Sequence, residues 1–225
     1  MYRMRLHARL LIALLALTIT SCAPDSATAP ANDGDIASVL QARGAEEAQL
    51  QLIYEAELER TRLEAELSAR IYDSLMVVDQ QQAAGDLLGP IGGLLSQVTG
   101  LLLCKPLPYA STVKIVGREG GTINVGPHTL TIPRGALKKN TVITAEVPAS
   151  RAVTVRFSPH GLEFQQSPTL TLSYAHCKSL PLLPKRIVYT NELLKILENL
   201  LSLDMPRQKK VQAEIDHFSR YAVAF

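Results

Sequence analysis

The chain contains no tryptophan, and it has only four phenylalanines and three cysteines among its 225 residues. Proteins that hold single-stranded nucleic acids stack the bases on aromatic side chains, so this scarcity argues against such a ligand. The charge balance agrees, because 23 basic and 21 acidic residues leave a net charge of only +2. We therefore expect no nucleic-acid partner and no polybasic membrane patch.

The sequence also lacks the motifs that carry common enzyme chemistry. There is no Gly-x-Ser-x-Gly nucleophile elbow and no glycine-rich phosphate loop. Hydrolysis of an external substrate is therefore not expected. We predict a protein that is not an enzyme and that needs no cofactor or metal ion.

The N-terminus has the pattern of an export signal. Arg3, Arg5 and Arg9 precede an uncharged apolar run over residues 10–19. That run is shorter than the roughly 20 apolar residues that a membrane-spanning helix needs. We predict a signal peptide over residues 1–21, and its removal takes away three arginines, leaving 20 basic and 21 acidic residues.

The signal ends in Ile19-Thr20-Ser21-Cys22, which resembles the lipobox of bacterial lipoproteins. The resemblance implies cleavage before Cys22, a diacylglycerol on its thiol and a palmitate-type acyl chain on its amine. Several acyl chains are what stable membrane anchoring requires. Ala23 in place of Asp implies, by the same resemblance, sorting to the outer membrane. The alternative is an ordinary signal peptide in which Cys22 occurs by chance.

The two remaining cysteines are Cys104 and Cys177. Exported proteins fold where thiols tend to be oxidised, so we predict that the two form a disulfide. The alternative is a metal site that adds one or more histidines to the two thiols. The spacings do not resemble a zinc site, and on a strand His176 would point away from its neighbour Cys177. The histidines considered are His128, His160, His176 and His217.

The mature chain begins with two segments of contrasting composition. Residues 22–44, which begin with a stretch rich in Pro, Ala, Ser and Asp, are expected to form a disordered tether. Residues 45–85 are rich in Ala, Glu, Leu and Gln, and they predict one long amphipathic helix. Its apolar side chains recur at helical spacing, although Glu57 and Arg60 interrupt them. We expect the helix to lie on its own domain or on a partner, with a self-associating coiled coil as the alternative. The apolar positions are Ile53, Leu63, Leu67, Ile71, Leu75 and Val78.

A glycine-rich apolar connector is predicted over residues 86–105. Residues 87–103 carry no charge but include four glycines and a proline, which disfavour a continuous helix. We expect the connector to fold against the helix or the following domain. The alternative is a small-residue segment that inserts into a bilayer or packs against a second copy.

From residue 106 to residue 225 the pattern changes to alternating β-branched and apolar residues separated by Gly, Pro and Asn. This pattern is typical of a β-sandwich or barrel. The whole chain is therefore predicted to be of the α+β class, with a long helix followed by an all-β sandwich.

This domain resembles the ZU-five domain, a β-module of zonula-occludens scaffolds, ankyrins and netrin receptors. Two stretches carry the resemblance, residues 117–147 and residues 157–174. The resemblance implies a sandwich that serves as a docking platform. The motifs are Gly120-Gly121, Ile132-Pro133, Gly135-Ala136-Leu137 and the Pro-x-Gly-x-x-Phe of residues 159–164.

Two patterns conflict within residues 191–204. Leucines at helical spacing predict a short amphipathic helix, whereas the ZU-five resemblance implies a strand in part of the segment. We favour the strand, because pairing in a sheet can override helix propensity.

The tripeptide His217-Phe218-Ser219 matches the site at which some ZU-five domains and a nucleoporin domain cleave their own backbone. The resemblance implies that the Ser219 hydroxyl attacks the Phe218 carbonyl while His217 assists proton transfer. The alternative is that residues 219–225 simply form the last strand of the sandwich, since their side chains alternate. We favour the strand.

The sequence thus predicts an outer-membrane-anchored lipoprotein whose sandwich is a non-enzymatic binding or scaffolding module of the bacterial cell envelope. Its expected partners are the membrane, through Cys22, and a protein, with self-association through the helix and connector as a further expectation. The alternative function is self-cleavage at the Phe218–Ser219 bond.

Overall fold

The computed structural model describes residues 33–84, 100–178 and 182–225. Contacts divide the chain into two compact units, residues 1–42 and residues 43–225. The described part of the first unit is the beginning of a helix. The second unit contains the rest of that helix and eleven strands, so the predicted α+β class is confirmed.

The helix, α1, extends over Asp33–Ala84. It begins earlier than the sequence predicted, and residues 33–44 of the expected tether are its first turns. Ile36, Val39 and Leu40 give this part apolar residues at helical spacing, and Gly34 and Gly44 each cost a helix only about 1 kcal/mol. Residues 22–32 of the predicted tether lie outside the described residues, as does the signal peptide.

The strands form two antiparallel sheets that face each other, which confirms the predicted sandwich-like arrangement. The six-stranded sheet has the order β1-β4-β5-β11-β7-β8, and the five-stranded sheet has the order β2-β3-β6-β10-β9. The strands are β1 (Ala110–Val116), β2 (Gly121–Val125), β3 (His128–Ile132), β4 (Thr141–Val147), β5 (Thr154–Ser158), β6 (Thr169–Ser173), β7 (Arg186–Thr190), β8 (Ile196–Asn199), β9 (Ser202–Met205), β10 (Lys210–Glu214) and β11 (Arg220–Ala224).

The main core lies between the two sheets and is filled by alternate side chains of the strands. The residues that are fully buried there include Ile143, Phe157, Leu170, Leu172 and Tyr221. Burial of each such side chain contributes roughly 1.5–3 kcal/mol. Strand β4 is buried along nearly its whole length, because its second face lies beneath α1.

One side of the sandwich is closed by side chains of β1. Thr112 Oγ1 donates a hydrogen bond of 2.7 Å to the Asn124 carbonyl of β2, and Lys114 Nζ donates one of 3.0 Å to the Thr122 carbonyl. These bonds occupy backbone acceptors that an edge strand would otherwise expose.

The other side of the sandwich consists of the edge strands β8 and β9. They are the two strands that the structure forms from residues 191–204, so the strand prediction for this segment is confirmed and the helical pattern was misleading. Three leucines of this side, Leu197, Leu201 and Leu203, remain exposed.

The end of the predicted connector joins the six-stranded sheet. Residues 85–99 lie outside the described residues, whereas Leu101 and Leu103 form isolated bridges with Ala224 and Ala152. The Leu102 N–H donates to the Val223 carbonyl at 2.8 Å. This pairing carries the chain directly to Cys104.

Candidate functional sites

The His217-Phe218-Ser219 tripeptide lies just before β11, which is a central strand between β5 and β7. The predicted last strand is therefore confirmed. The Phe218 ring is buried in the core, where it stacks on Phe157 with ring centroids 5.1 Å apart. Phe164 contacts the same ring edge-on at 5.0 Å.

The backbone of the tripeptide is held by three hydrogen bonds. The Gly161 N–H donates to the Phe218 carbonyl at 3.0 Å, and the Phe218 N–H donates to the Leu162 carbonyl at 3.1 Å. The Phe157 N–H donates to the Ser219 carbonyl at 3.0 Å. A donor on the Phe218 carbonyl is the arrangement that would stabilise an oxyanion during attack at that carbon.

The His217 ring is oriented by two tyrosines. It packs edge-on against Tyr189 with centroids 5.0 Å apart, and its Nδ1 lies 3.4 Å from the Tyr221 hydroxyl. That hydroxyl also donates a short hydrogen bond to the His217 carbonyl, and burial raises the Tyr221 pKa, so it stays protonated.

The contacts of the described residues do not join the His217 ring to the Ser219 hydroxyl. Among these residues the non-glycine positive φ angles occur at Leu194 and Lys209, away from the tripeptide. The structure thus brings His217 to Tyr221 and gives the Phe218 carbonyl a donor, but it does not form a serine–histidine pair.

Cys104 and Cys177 are bonded, with their Cα atoms 4.9 Å apart, so the predicted disulfide is confirmed. The bond joins the segment after the connector to the turn that follows β6. Both cysteines are buried.

The turn after β6 places His176 differently from the sequence prediction. His176 is not on a strand, because β6 ends at Ser173 and the Cys177 N–H closes a turn by donating to the Tyr174 carbonyl at 3.1 Å. The argument that strand alternation separates His176 from Cys177 was therefore wrong. The His176 imidazole and the two sulfurs lie within 4.8 Å of one another.

A second histidine lies beside this turn. His128 is buried, and its Nδ1 accepts a hydrogen bond of 3.1 Å from the Ser173 N–H. Burial and, to a lesser extent, the charge of His176 lower the His128 pKa to about 4. His128 is therefore neutral, and because Nδ1 is the acceptor, its proton is on Nε2. That buried Nε2 has no hydrogen-bond partner among the described residues. His160 is exposed, and His217 lies near the tyrosines described above.

A network of charged side chains joins α1 to the six-stranded sheet, and sequence reasoning missed it. Its centre is Glu146 on β4, which lies beneath the helix. Arg60 of α1 donates to both carboxylate oxygens of Glu146 at 3.3 and 3.1 Å, and Arg156 of β5 donates to them at 3.1 and 2.9 Å. The Tyr109 hydroxyl donates a further short hydrogen bond.

The network determines which form of Glu146 is stable. Burial alone would raise the pKa of Glu146, but the hydrogen bonds from Arg156, Arg60 and Tyr109 outweigh it and the pKa is lowered. The carboxylate is therefore ionised at neutral pH. A second helix residue, Glu57, accepts a hydrogen bond of 2.8 Å from the Thr144 hydroxyl of β4. Glu57 and Arg60, which interrupt the apolar pattern of α1, are thus among the residues that attach it to the sheet, together with Glu64, which pairs with Arg156 at 3.8 Å.

Several apolar side chains of α1 remain exposed beside these contacts. Leu63 and Leu67 are 58% and 59% exposed, and Ile53 and Ile71 are about half exposed, whereas Ser68 is 7% exposed. We call Leu63, Leu67 and Ile71 the helix stripe. Ile53 instead lines a cavity beside β4 together with Glu57 and Thr144. The prediction that α1 lies on its own domain holds for the part of the helix in this unit, where the hydrogen bonds and ion pairs with the sheet come from polar and charged side chains. The side chain of Val78 lies outside the described residues.

Cys22, the predicted lipid attachment site, also lies outside the described residues. Within the part of the chain that the structure describes, no helix is both long and apolar enough to cross a membrane. The comparison with protein-family models gives no match, and neither does the comparison with curated proteins.

Proposed function

We propose that the protein is an outer-membrane-anchored lipoprotein whose sandwich, with the helix attached to it, is a binding or scaffolding module of the bacterial cell envelope. In this proposal the sandwich is of the ZU-five type. The lipobox-like Ile19-Thr20-Ser21-Cys22 supports the anchor, and the Cys104–Cys177 bond fits an oxidising compartment.

The observation that carries the binding role is the exposure of the helix stripe. Its side chains recur at spacings of four, so they present one continuous apolar surface on a helix. Partners that recognise helices commonly accept such a surface in a hydrophobic groove.

The contacts of α1 with the sheet explain why the stripe is available. Arg60 and Glu57 attach the helix to β4 through charged groups, and Leu63 and Leu67 stay more than half exposed beside them. A helix fixed along one face is preorganised, and preorganisation reduces the conformational entropy lost on binding.

Membrane fractionation of a Cys22→Ser variant tests the anchor. We expect this variant to leave the membrane fraction, because no acyl chain can be attached. Continued membrane association would contradict anchoring through Cys22.

Site-specific photo-crosslinking in cells tests the binding surface. A photoreactive residue replacing Leu63 or Leu67 should give a discrete crosslinked product. The matched control is the same photoreactive residue replacing Arg62 or Glu66, which are exposed on the same helix. It should give no discrete crosslinked product. Equal products at all four positions, or none, would contradict a binding role for the stripe.

The second candidate function is self-cleavage, which the hydrogen bond from Gly161 to the Phe218 carbonyl favours. The Ser219 Oγ would attack the Phe218 carbonyl carbon, breaking the amide bond and forming an ester with a free Ser219 amine. Water would then hydrolyse the ester, leaving a carboxylate on Phe218 and the hydroxyl on Ser219.

Intact-mass measurement tests self-cleavage. The mass of the purified chain should decrease by the mass of residues 219–225, and the Ser219→Ala variant should keep its full mass. A full-length mass after long incubation would overturn this candidate.

A further inference from the structure

The side chains of Cys104, His176 and Cys177 lie together at the turn after β6, and they can do more than form a disulfide. We propose that Cys104, Cys177 and His176 bind one Zn²⁺ ion when the disulfide is reduced, so that this position alternates between a covalent bond and a metal site. The proposal is independent of the anchoring and binding roles above.

The geometry is close to that of a zinc site. With Zn–S bonds of about 2.3 Å and Zn–N bonds of about 2.0 Å, the ligand atoms of a tetrahedral site lie roughly 3.5–3.8 Å apart. The three donor atoms here already lie within 4.8 Å of one another. Separation of the two sulfurs and a small rotation of the His176 ring would therefore suffice.

The backbone keeps the two cysteines together without help from the S–S bond. The Cys104 N–H donates to the Arg151 carbonyl at 2.7 Å, and the Cys177 N–H donates to the Tyr174 carbonyl at 3.1 Å. The Tyr174 N–H in turn donates to the Lys209 carbonyl at 2.8 Å. Each side of the site is thus held by hydrogen bonds that reduction does not break.

The electrostatics of the site favour a divalent cation. Two thiolates and a neutral imidazole around Zn²⁺ give a site with no net charge, whereas two unpaired thiolates in this buried position would be costly. Sulfur and imidazole ligands also favour Zn²⁺ over hard cations such as Mg²⁺, which prefer oxygen ligands.

The unpartnered Nε2–H of His128 is a second observation at the same turn. Buried polar groups without a partner are rare and need an explanation. His128 is not one of the three donors that lie within 4.8 Å of one another, so it is not assigned as a ligand.

The chemistry balances if a dithiol reductant is present. The disulfide takes up two electrons and two protons and becomes two thiols, while the reductant's two thiols become a disulfide. Binding of Zn²⁺ then releases the two thiol protons. Reoxidation reverses both steps and expels the metal.

The test uses the full chain carrying Cys22→Ser, so that Cys104 and Cys177 are its only thiols. The oxidised chain should take no Zn²⁺ from a chromophoric chelator. After reduction with a phosphine and its removal without oxygen, the chain should take up one Zn²⁺ per molecule. With Co²⁺ it should show the absorption bands of a tetrahedral thiolate site.

Variants separate the ligands from their surroundings. His176→Ala should weaken Zn²⁺ binding at least tenfold, since loss of an outer-shell group alone costs about 10–100-fold. His160→Ala, which removes an exposed histidine, should bind as the parent does. Zn²⁺ binding unaffected by His176→Ala, or absent from the reduced chain, would overturn the proposal. Unfolding of the sandwich on reduction, seen as loss of its β circular dichroism, would overturn it too, because the ligands would no longer be gathered.

Discussion

Arg60 of α1 and Glu146 of β4 form a two-pronged ion pair, with both guanidinium Nη atoms donating to the carboxylate. The pair joins residues 86 positions apart in the chain, and Arg156 donates to the same two oxygens from the neighbouring strand. A buried carboxylate between two arginines is costly to disrupt, because removal of one partner leaves charge without compensation. The attachment of the helix therefore depends on Glu146.

Replacement of Glu146 by Gln should lower the free energy of unfolding by about 3 kcal/mol, since Arg60 and Arg156 then lose the buried carboxylate that they share and keep only the more exposed Glu57 and Glu64. Arg60→Ala should cost less, about 1–2 kcal/mol, because Arg156 still compensates the carboxylate. Urea unfolding measures both. Arg62→Ala, on the exposed side of α1, is the control and should stay within about 0.5 kcal/mol of the parent. A Glu146→Gln variant as stable as that control would contradict the role of the network.

Acid should weaken the same contact. The folded state lowers the Glu146 pKa below its ordinary value of 4.5, so the stability that this carboxylate contributes is fully present above pH 4.5 and is lost as the pH falls through the lowered value. The stability difference between the parent and Glu146→Gln should accordingly be constant from pH 7 to about pH 5 and shrink below pH 4.5. Urea midpoints at each pH provide the measurement. A stability difference that grows on acidification would contradict the lowered pKa of Glu146.

The disulfide should be a major source of stability. Cys104 and Cys177 are separated by 73 positions, and the chain-entropy relation gives about 4 kcal/mol for closing a loop of that size. The doubly substituted Cys104→Ser, Cys177→Ser chain should unfold at correspondingly lower urea. When the parent is alkylated without reductant, its mass should show no label on Cys104 or Cys177. Labelling of both would mean that the bond is absent in solution.

Two glycines should respond in opposite directions to the same substitution. Gly120 has a φ of +70° in the turn before β2, and an added Cβ would lie 2.3 Å from the Ile132 carbonyl oxygen. Gly120→Ala should therefore destabilise the sandwich by several kcal/mol. Gly44 lies on α1 with nothing within 4 Å, and Gly44→Ala should stabilise it by about 0.5–1 kcal/mol. The melting temperatures of both variants test this prediction. Equal shifts in melting temperature would contradict it.

The sequence predicts the sandwich and the disulfide because their signals are local or few in number. Alternation along each strand identifies the buried face, and in an oxidising compartment two free cysteines leave one pairing. The helical leucine pattern of residues 191–204 fails because strand pairing with β7 and β10 overrides local propensity.

The face by which α1 contacts the sheet could not be predicted from the sequence pattern. Hydrophobic periodicity assumes that apolar side chains point towards the core. Here Glu146 offers a charged partner from another part of the chain, and only the folded sheet brings it opposite Arg60. His176 illustrates the same limit, because a turn not recognised in the sequence places it beside both sulfurs.

The most direct test of the account is the orientation of α1. In a Cys22→Ser background, a single cysteine is placed at residue 67 or at residue 68, and its maleimide labelling rate is measured without denaturant. These neighbours differ in exposure, at 59% for Leu67 and 7% for Ser68. We predict fast labelling of Leu67→Cys and at least tenfold slower labelling of Ser68→Cys. Equal rates would mean that the helix is detached from the sheet, and the reverse order would mean that the helix stripe faces it.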